Sequence, residues 1–235
     1  MKHQVNIAAD EQHGVDCTAI HSTPKGSDLP SGIRSPYARF CKRPLDILLV
    51  LLVMPIALPL VVILSAIIAL EGGSPFYSQL RVGRSGRSFR LWKLRSMVKN
   101  ADERLEDYLD SDPAARAEWD LTQKLKKDPR ITKFGRFLRK SSLDELPQLF
   151  NVFKGDMSVV GPRPMLLDQA QLYPGADYYH LRPGVTGLWQ ISDRNDSTFA
   201  ARASFDARYA MNLSFLSDFR IMAQTFGVVL RGTGY

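Results

Sequence analysis

Two adjacent carboxylates, Asp144 and Glu145, lie in the segment Ser141-Ser142-Leu143-Asp144-Glu145-Leu146-Pro147-Gln148-Leu149-Phe150-Asn151. Pro147 fits the first turn of a helix, where backbone donors are unpaired anyway, so a helix is expected to begin near Leu143 or Asp144. The carboxylates would then stand at a positive helix end, where backbone donors can also receive a phosphate. In that setting Asp144 could attack phosphorus, while Glu145 helps to hold a divalent cation that offsets the repulsion between carboxylate and pyrophosphate. The same residues also fit plain helix capping, because Ser142 and Glu145 have capping-box spacing.

Downstream, Arg163 stands between Pro162 and Pro164 in Gly161-Pro162-Arg163-Pro164. A guanidinium on so constrained a backbone suits bidentate contact with phosphate. The pattern of Arg held by Pro and Gly returns in Arg182-Pro183-Gly184-Val185-Thr186-Gly187, whose glycines would let a loop close on a ligand. Lys93 and Arg95, close to an apolar run, are candidates for holding a lipid phosphate or for a purely interfacial role. The polar loop Asp193-Arg194-Asn195-Asp196 could add to a phosphate or metal site. Asp110-Ser111-Asp112 has the form of a metal-binding D-x-D but lies in a polar helical stretch, so it is set aside. There is no P-loop pattern.

These groups need positioning elements. Every residue from Ile47 to Leu70 is uncharged and nearly all are apolar, enough for about 20 residues of membrane-crossing helix. Pro55 and Pro59 interrupt this run on one helical face, and each removes a backbone donor. Both flanks are basic: Arg34, Arg39, Lys42 and Arg43 precede the run, and Arg81, Arg84, Arg87, Arg90, Lys93 and Arg95 follow it. A spanning helix would export one basic flank, against the positive-inside tendency, whereas a helix that enters, bends at the prolines and returns keeps both inside. Ser65 or another helix would have to satisfy the carbonyls freed at such a bend. Both topologies stay open on these residues alone.

Around the run, residues 1–38 read as a disordered tail, 39–73 as the membrane helix and 74–235 as a catalytic domain. The late start and the length of the apolar run argue against a cleaved signal peptide. Arg81 to Arg87 reads as a turn between short strands, and Phe89 to Met97 as a strand or the start of a helix. A charged helical stretch from Ala101 to Leu125 is broken by Pro113. A basic amphipathic helix runs through Phe134, Phe137 and Leu138, suited to an anionic membrane surface, and two more helical patterns fill Phe205 to Leu230. The expected fold is α+β, mainly helical, with a minor sheet and amphipathic interfacial helices.

A formal net charge of +7 points to a negatively charged partner: nucleic acid, anionic lipid or a phosphorylated substrate. Nucleic acid is disfavoured, since no recognition motif accompanies the charge and the apolar run is hard to reconcile with it. Two cysteines, Cys17 and Cys41, make neither a disulfide framework nor a zinc pattern. A catalytically silent membrane adaptor would explain the charge and the apolar run, but not the coexistence of Asp144-Glu145 with two Arg-Pro loops.

The chain resembles the bacterial sugar transferase family, the polyprenyl-phosphate hexose-1-phosphate transferases or monotopic phosphoglycosyl transferases. The likeness runs from about Lys42 to the C-terminus. It is carried, in order, by Lys42-Arg43-Pro44-Leu45-Asp46, Phe76-Tyr77-Ser78-Gln79-Leu80-Arg81-Val82-Gly83, Trp92-Lys93-Leu94-Arg95-Ser96-Met97, Leu143-Asp144-Glu145-Leu146-Pro147-Gln148, Gly161-Pro162-Arg163-Pro164 and Arg182-Pro183-Gly184-Val185-Thr186-Gly187. The resemblance implies a re-entrant helix hairpin with both ends cytoplasmic, on the inner membrane of a bacterium. It further implies Asp144 as nucleophile, Glu145 as support for Mg²⁺, and Pro162, Arg163 and Pro164 at the nucleotide phosphates. The expected substrates are a UDP-hexose and undecaprenyl phosphate, with UMP released at the first membrane step of exopolysaccharide synthesis. The short form ending Leu230-Arg231-Gly232-Thr233-Gly234-Tyr235 resembles the exopolysaccharide-initiating members that transfer galactose or glucose 1-phosphate. Some members carry Ser-Pro at the helix break, where this chain has Leu58-Pro59. Which hexose is used, the role of the tail, and whether the chain forms a homo-oligomer are not legible here.

Overall fold

The computed structural model describes residues 29–122, 125–192 and 198–230. The expected tail therefore lies mostly outside the described residues, as does the loop 193–197. The closing stretch of that tail is packed rather than loose: Ile33, Tyr37 and Ala38 join an apolar cluster with Leu181, Tyr209, Leu213 and Ile221.

The apolar run forms one helix, α1 (Lys42–Leu70), which continues through Pro55 and Pro59 after a π-helical turn at Tyr37–Cys41. Its buried residues, Asp46, Val50, Ala57, Leu64 and Ile68, recur at helical spacing and form a single stripe. Elsewhere Leu48, Leu51, Leu52, Ile56, Leu58, Val62 and Ile63 stay exposed, which suits lipid rather than water. The described helix is long and apolar enough to cross a membrane. Ser65, expected to help at a break, has a buried Oγ with no partner among the described residues.

Both ends of α1 are tied to the rest of the chain. At its start, Lys42 Nζ lies 2.7 Å from Asp218 Oδ2, and Asp46 Oδ1 accepts from Ser158 Oγ (3.1 Å) and Val159 N (3.0 Å). At its end, Arg95 Nη2 donates to the carbonyls of Ile68 (3.3 Å), in the last turn, and Gly72 (2.7 Å), just beyond the helix. Between these ties, Val50 clusters with Phe89, Leu91 and Val152, and Leu64 and Ile68 cluster with Leu94 and Leu138.

Strands β1 (Phe76–Val82) and β2 (Ser88–Leu94) pair antiparallel, from Phe76 opposite Leu94 to Val82 opposite Ser88, about the expected turn. The helices α2 (Ala101–Ser111) and α3 (Pro113–Thr122) divide at Pro113, with a small core of Leu105, Leu109, Ala115 and Leu125. Asp112 Oδ1 caps α3 by accepting from Ala114 N and Ala115 N, and Asp110 pairs with Arg116, so the D-x-D residues do structural work. Helices α4 (Lys133–Lys140) and α5 (Gln148–Lys154) flank the carboxylate segment. Two short strands, β3 (Ser158–Val160) and β4 (Gly184–Thr186), pair in parallel and bring the two Arg-Pro loops side by side. Here Gly161 N donates to Thr186 O and Gly184 N to Pro162 O, both at 2.8 Å; a β-carbon on Gly161 would collide with the carbonyl of Arg182. The chain continues through α6 (Leu188–Ile191), α7 (Arg202–Asn212) and α8 (Phe215–Leu230). Among the described residues the result is a mostly helical α+β fold with two small sheets and one long apolar helix.

Candidate active site

The helix expected from Leu143 or Asp144 starts later. Leu143–Glu145 form a 3₁₀ turn, and α5 begins at Gln148 behind Pro147. Ser142, at φ 56°, makes no side-chain cap, so the capping box is not formed. The cause is packing: Leu143 is drawn into the cluster of Leu64, Ile68, Leu94 and Leu138, which turns the chain before the helix can begin. This turn buries Asp144 to 5% exposure while leaving it on the wall of a cavity of about 3100 Å³.

Asn151 ties β2 to α5. Its Nδ2 donates to Arg90 O (2.8 Å) and its Oδ1 accepts from Trp92 N (3.1 Å), so a buried side-chain amide extends the β2 ladder onto α5. The next residue, Lys93, then reaches across: its Nζ lies 2.7 Å from Glu145 Oε1 and 3.8 Å from Asp144 Oδ2. Arg163 Nη2 approaches the same Glu145 oxygen at 3.5 Å. The carbonyl of Pro162 is held by Gly184 N and that of Pro164 by Arg81 Nη1 at 3.2 Å, so the arginine between them stands on a pinned backbone.

Burial pushes the Asp144 carboxyl above the ordinary carboxylate range; Lys93 pulls it down, Glu145 pushes it up, and Arg139 and Arg163 pull it down. The cavity is strongly cationic. Burial lowers Arg139, and burial with the neighbouring Arg163 lowers Arg81 to about 10 and Arg202 to about 9, which leaves Arg81 and Arg202 cationic at neutral pH. The remaining walls include Thr186, Trp189 and Gln190, with Tyr108 and Trp119 from α2 and α3. The volume exceeds the usual pocket for one small ligand, about 300–1,000 Å³.

Asp144, Glu145, Lys93 and Arg163 thus come together. Arg95 also lines the cavity but spends its guanidinium on the end of α1. Arg182 is not among the wall residues; its Nε donates to Gly155 O at 3.1 Å and braces the end of α5. Three further wall arginines are not singled out as site residues by the sequence: Arg81 stands in the basic flank and in one of the family segments, Arg139 lies on the basic amphipathic helix, and Arg202 carries no local signal. Among the described residues no three His, Cys, Asp or Glu side chains gather as a metal site. Two adjacent carboxylates on a cavity wall still supply the hard oxygen donors that Mg²⁺ takes alongside substrate phosphates and water.

Residues 37–232 match the bacterial sugar transferase family. The chain belongs to that family. It is 50% identical over 199 residues to the UDP-galactose-lipid carrier transferase of Erwinia amylovora, covering 84% of this chain and 42% of that protein. Identity and coverage are the same for the undecaprenyl-phosphate galactose phosphotransferase of Salmonella typhimurium. The chain therefore spans less than half the length of these two relatives. Against the exopolysaccharide production protein ExoY of Sinorhizobium fredii it is 43% identical over 207 residues, which is 87% of this chain and 92% of that protein. The family segment takes in α1, both Arg-Pro loops and the Asp144-Glu145 turn.

Proposed function

We propose that the chain transfers a hexose 1-phosphate, galactose 1-phosphate first among the candidates, from a UDP-hexose to undecaprenyl phosphate at the cytoplasmic face of a bacterial inner membrane. The names of the Erwinia and Salmonella relatives point to galactose and a lipid carrier, and that of the Sinorhizobium relative to exopolysaccharide production. The observation that carries the proposal is the position of Asp144: a buried carboxylate on a cavity wall, its nearest cation 3.8 Å away and so beyond hydrogen-bond length, facing a set of guanidiniums. A silent adaptor has no use for such a cavity.

In the proposed reaction an Asp144 oxygen attacks the β-phosphorus. The bond from that phosphorus to the bridging oxygen breaks, its electron pair leaves with UMP, and the hexose phosphate stays on the carboxylate. An oxygen of undecaprenyl phosphate then attacks the same phosphorus and returns Asp144 to its free form. Asp144 must be ionised to begin, and Lys93, Arg139 and Arg163 oppose the burial that would protonate it. Glu145 orients Lys93 and Arg163 by accepting from both. Asp144 and Glu145 would hold Mg²⁺ carried in with the diphosphate, and that ion would supply charge neutralisation between carboxylate and phosphate.

For the membrane helix we propose re-entry. Both ends of α1 bind the same domain, through Asp218 and Ser158 at one end and Arg95 at the other. A helix that crossed the bilayer would hold its ends about 30 Å apart on opposite sides. Pro55 and Pro59 are the natural place for the bend.

D144N protein in nanodiscs should release no UMP from UDP-galactose while remaining in the membrane fraction. Normal turnover by D144N, or a trapped phosphosugar on another residue of the wild type, would refute the assignment.

A further inference from the structure

Arg202 opens α7 and is only 8% exposed, yet its guanidinium has neither a hydrogen bond nor a carboxylate within ion-pair distance among the described residues. Its guanidinium carbon lies 4.2 Å from the centre of the Trp189 ring and 4.6 Å from that of Phe199. Contacts of this kind use the π-faces of the rings and leave the in-plane N–H groups unspent. Buried polar atoms without partners are rare in folded proteins and call for an explanation. Among the described residues three such atoms, Arg202 Nε, Arg81 Nε and Gln190 Oε1, belong to residues that line the same cavity; the others, on Asp46 and Ser65, belong to α1.

Arg163 lies close enough to Arg81 and Arg202 to lower the affinity of both for a proton, and Arg81 does the same to Arg202. Gathering like charges in a half-dry cavity is unfavourable unless a multiply charged anion completes the set. Their order is informative. Arg163 touches Glu145, next to Asp144, and it also acts on Arg202 and Arg81.

We infer that Arg202, held between Trp189 and Phe199, receives the departing nucleoside monophosphate, binding the α-phosphate of the sugar nucleotide. The inference rests on the function proposed above. With the β-phosphorus at Asp144 and Arg163 spanning the diphosphate, the α-phosphate extends towards Arg202. As the bond between the β-phosphorus and the bridging oxygen breaks, its electron pair moves onto that oxygen and the leaving phosphate gains one negative charge. No proton has to move. The in-plane N–H groups of Arg202 meet the oxygens on which this charge appears, a match of planar fork to phosphate. Arg202 therefore contributes more to the breaking bond than to the nucleoside.

The test compares UMP with uridine by isothermal titration into the 235-residue chain in nanodiscs, using wild type, R202M and R202K. Wild type should bind UMP well above uridine. R202M should lose about ten- to hundred-fold in UMP affinity, the range expected for hydrogen bonds to a charged group, with uridine affinity unchanged within about twofold. R202K keeps the charge but not the fork, and should also lose several-fold on UMP alone; it serves as the reading if R202M does not fold. Wild-type UMP affinity in R202K or R202M, or an equal loss for both ligands, overturns the inference and leaves the proposed function standing. A wild-type protein that neither binds UMP nor releases it from any UDP-hexose overturns both.

Discussion

Asp206 on α7 gives a pH prediction that can be worked through from its surroundings. Its carboxyl is 6% exposed, accepts from Tyr173 Oη at 2.7 Å, and is raised from 3.8 to about 7. Burial is the main cause; the Tyr173 hydrogen bond and the charge of Arg202 pull it down, and Asp177 pushes it up. The folded protein therefore holds a proton there that the unfolded chain has already released. Stability from this group is complete below the unfolded value, falls as pH rises between about 4 and about 7, and is flat above that. Lifting a carboxyl from 3.8 to about 7 corresponds to about 4 kcal/mol, of which about 3 kcal/mol falls between pH 5 and pH 7. D206N cannot ionise but can still accept from Tyr173. Thermal unfolding in nanodiscs, followed by tryptophan fluorescence, should show the variant gaining on wild type by roughly 6–12 °C between pH 5 and pH 8, at about 2–4 °C per kcal/mol. Asp144, also raised by burial, titrates in both proteins and drops out of the difference. A Tm difference that stays constant across this range would show that Asp206 does not carry a proton into the folded state.

Asp218 accepts from Tyr37, Lys42 and Tyr209, each at 2.7 Å. D218N should cost about 3–5 kcal/mol by leaving Lys42 unpaired, and should loosen the start of α1, measured as faster amide exchange across 37–46. Gly135 has no room for a β-carbon, which would strike the carbonyl of Ser96, so G135A should fail to accumulate as folded protein in a membrane extract. Leu138, fully buried beneath Leu64, Ile68 and Leu94, should cost about 2–5 kcal/mol as L138A and lower the Tm without altering the affinity for UMP.

What the sequence revealed was mostly what lies along the chain. A long uncharged apolar run, Pro113 dividing two helices and glycines between basic residues each leave a local mark, because each acts on its own stretch of backbone. The helix start at Leu143 was misplaced for the opposite reason. Pro147 and the capping spacing are local signals, but the side chain of Leu143 gains more by entering the cluster against α1 than by beginning a helix, and no neighbour in sequence records this. Residues 29–38 show the same effect, since their few apolar side chains became packed only because α7 and α8 are there to receive them.

The same distinction separates the parts of the site. Asp144-Glu145 and Pro162-Arg163-Pro164 were visible because their chemistry is contained in consecutive residues. Lys93 was visible as a candidate for a lipid phosphate, not as a partner of Glu145; that contact depends on Asn151 continuing β2 onto α5, a link between residues far apart in the chain. Arg202 left no trace, because its environment is assembled from Trp189, Phe199 and two distant arginines. In Arg182 the Arg-Pro-Gly pattern was present while the side chain turned to the carbonyl of Gly155. A motif fixes where a backbone can go, but a guanidinium goes to whichever acceptor the fold leaves open. That acceptor caps the end of α5 for Arg182, and for Arg202 no group among the described residues takes the place.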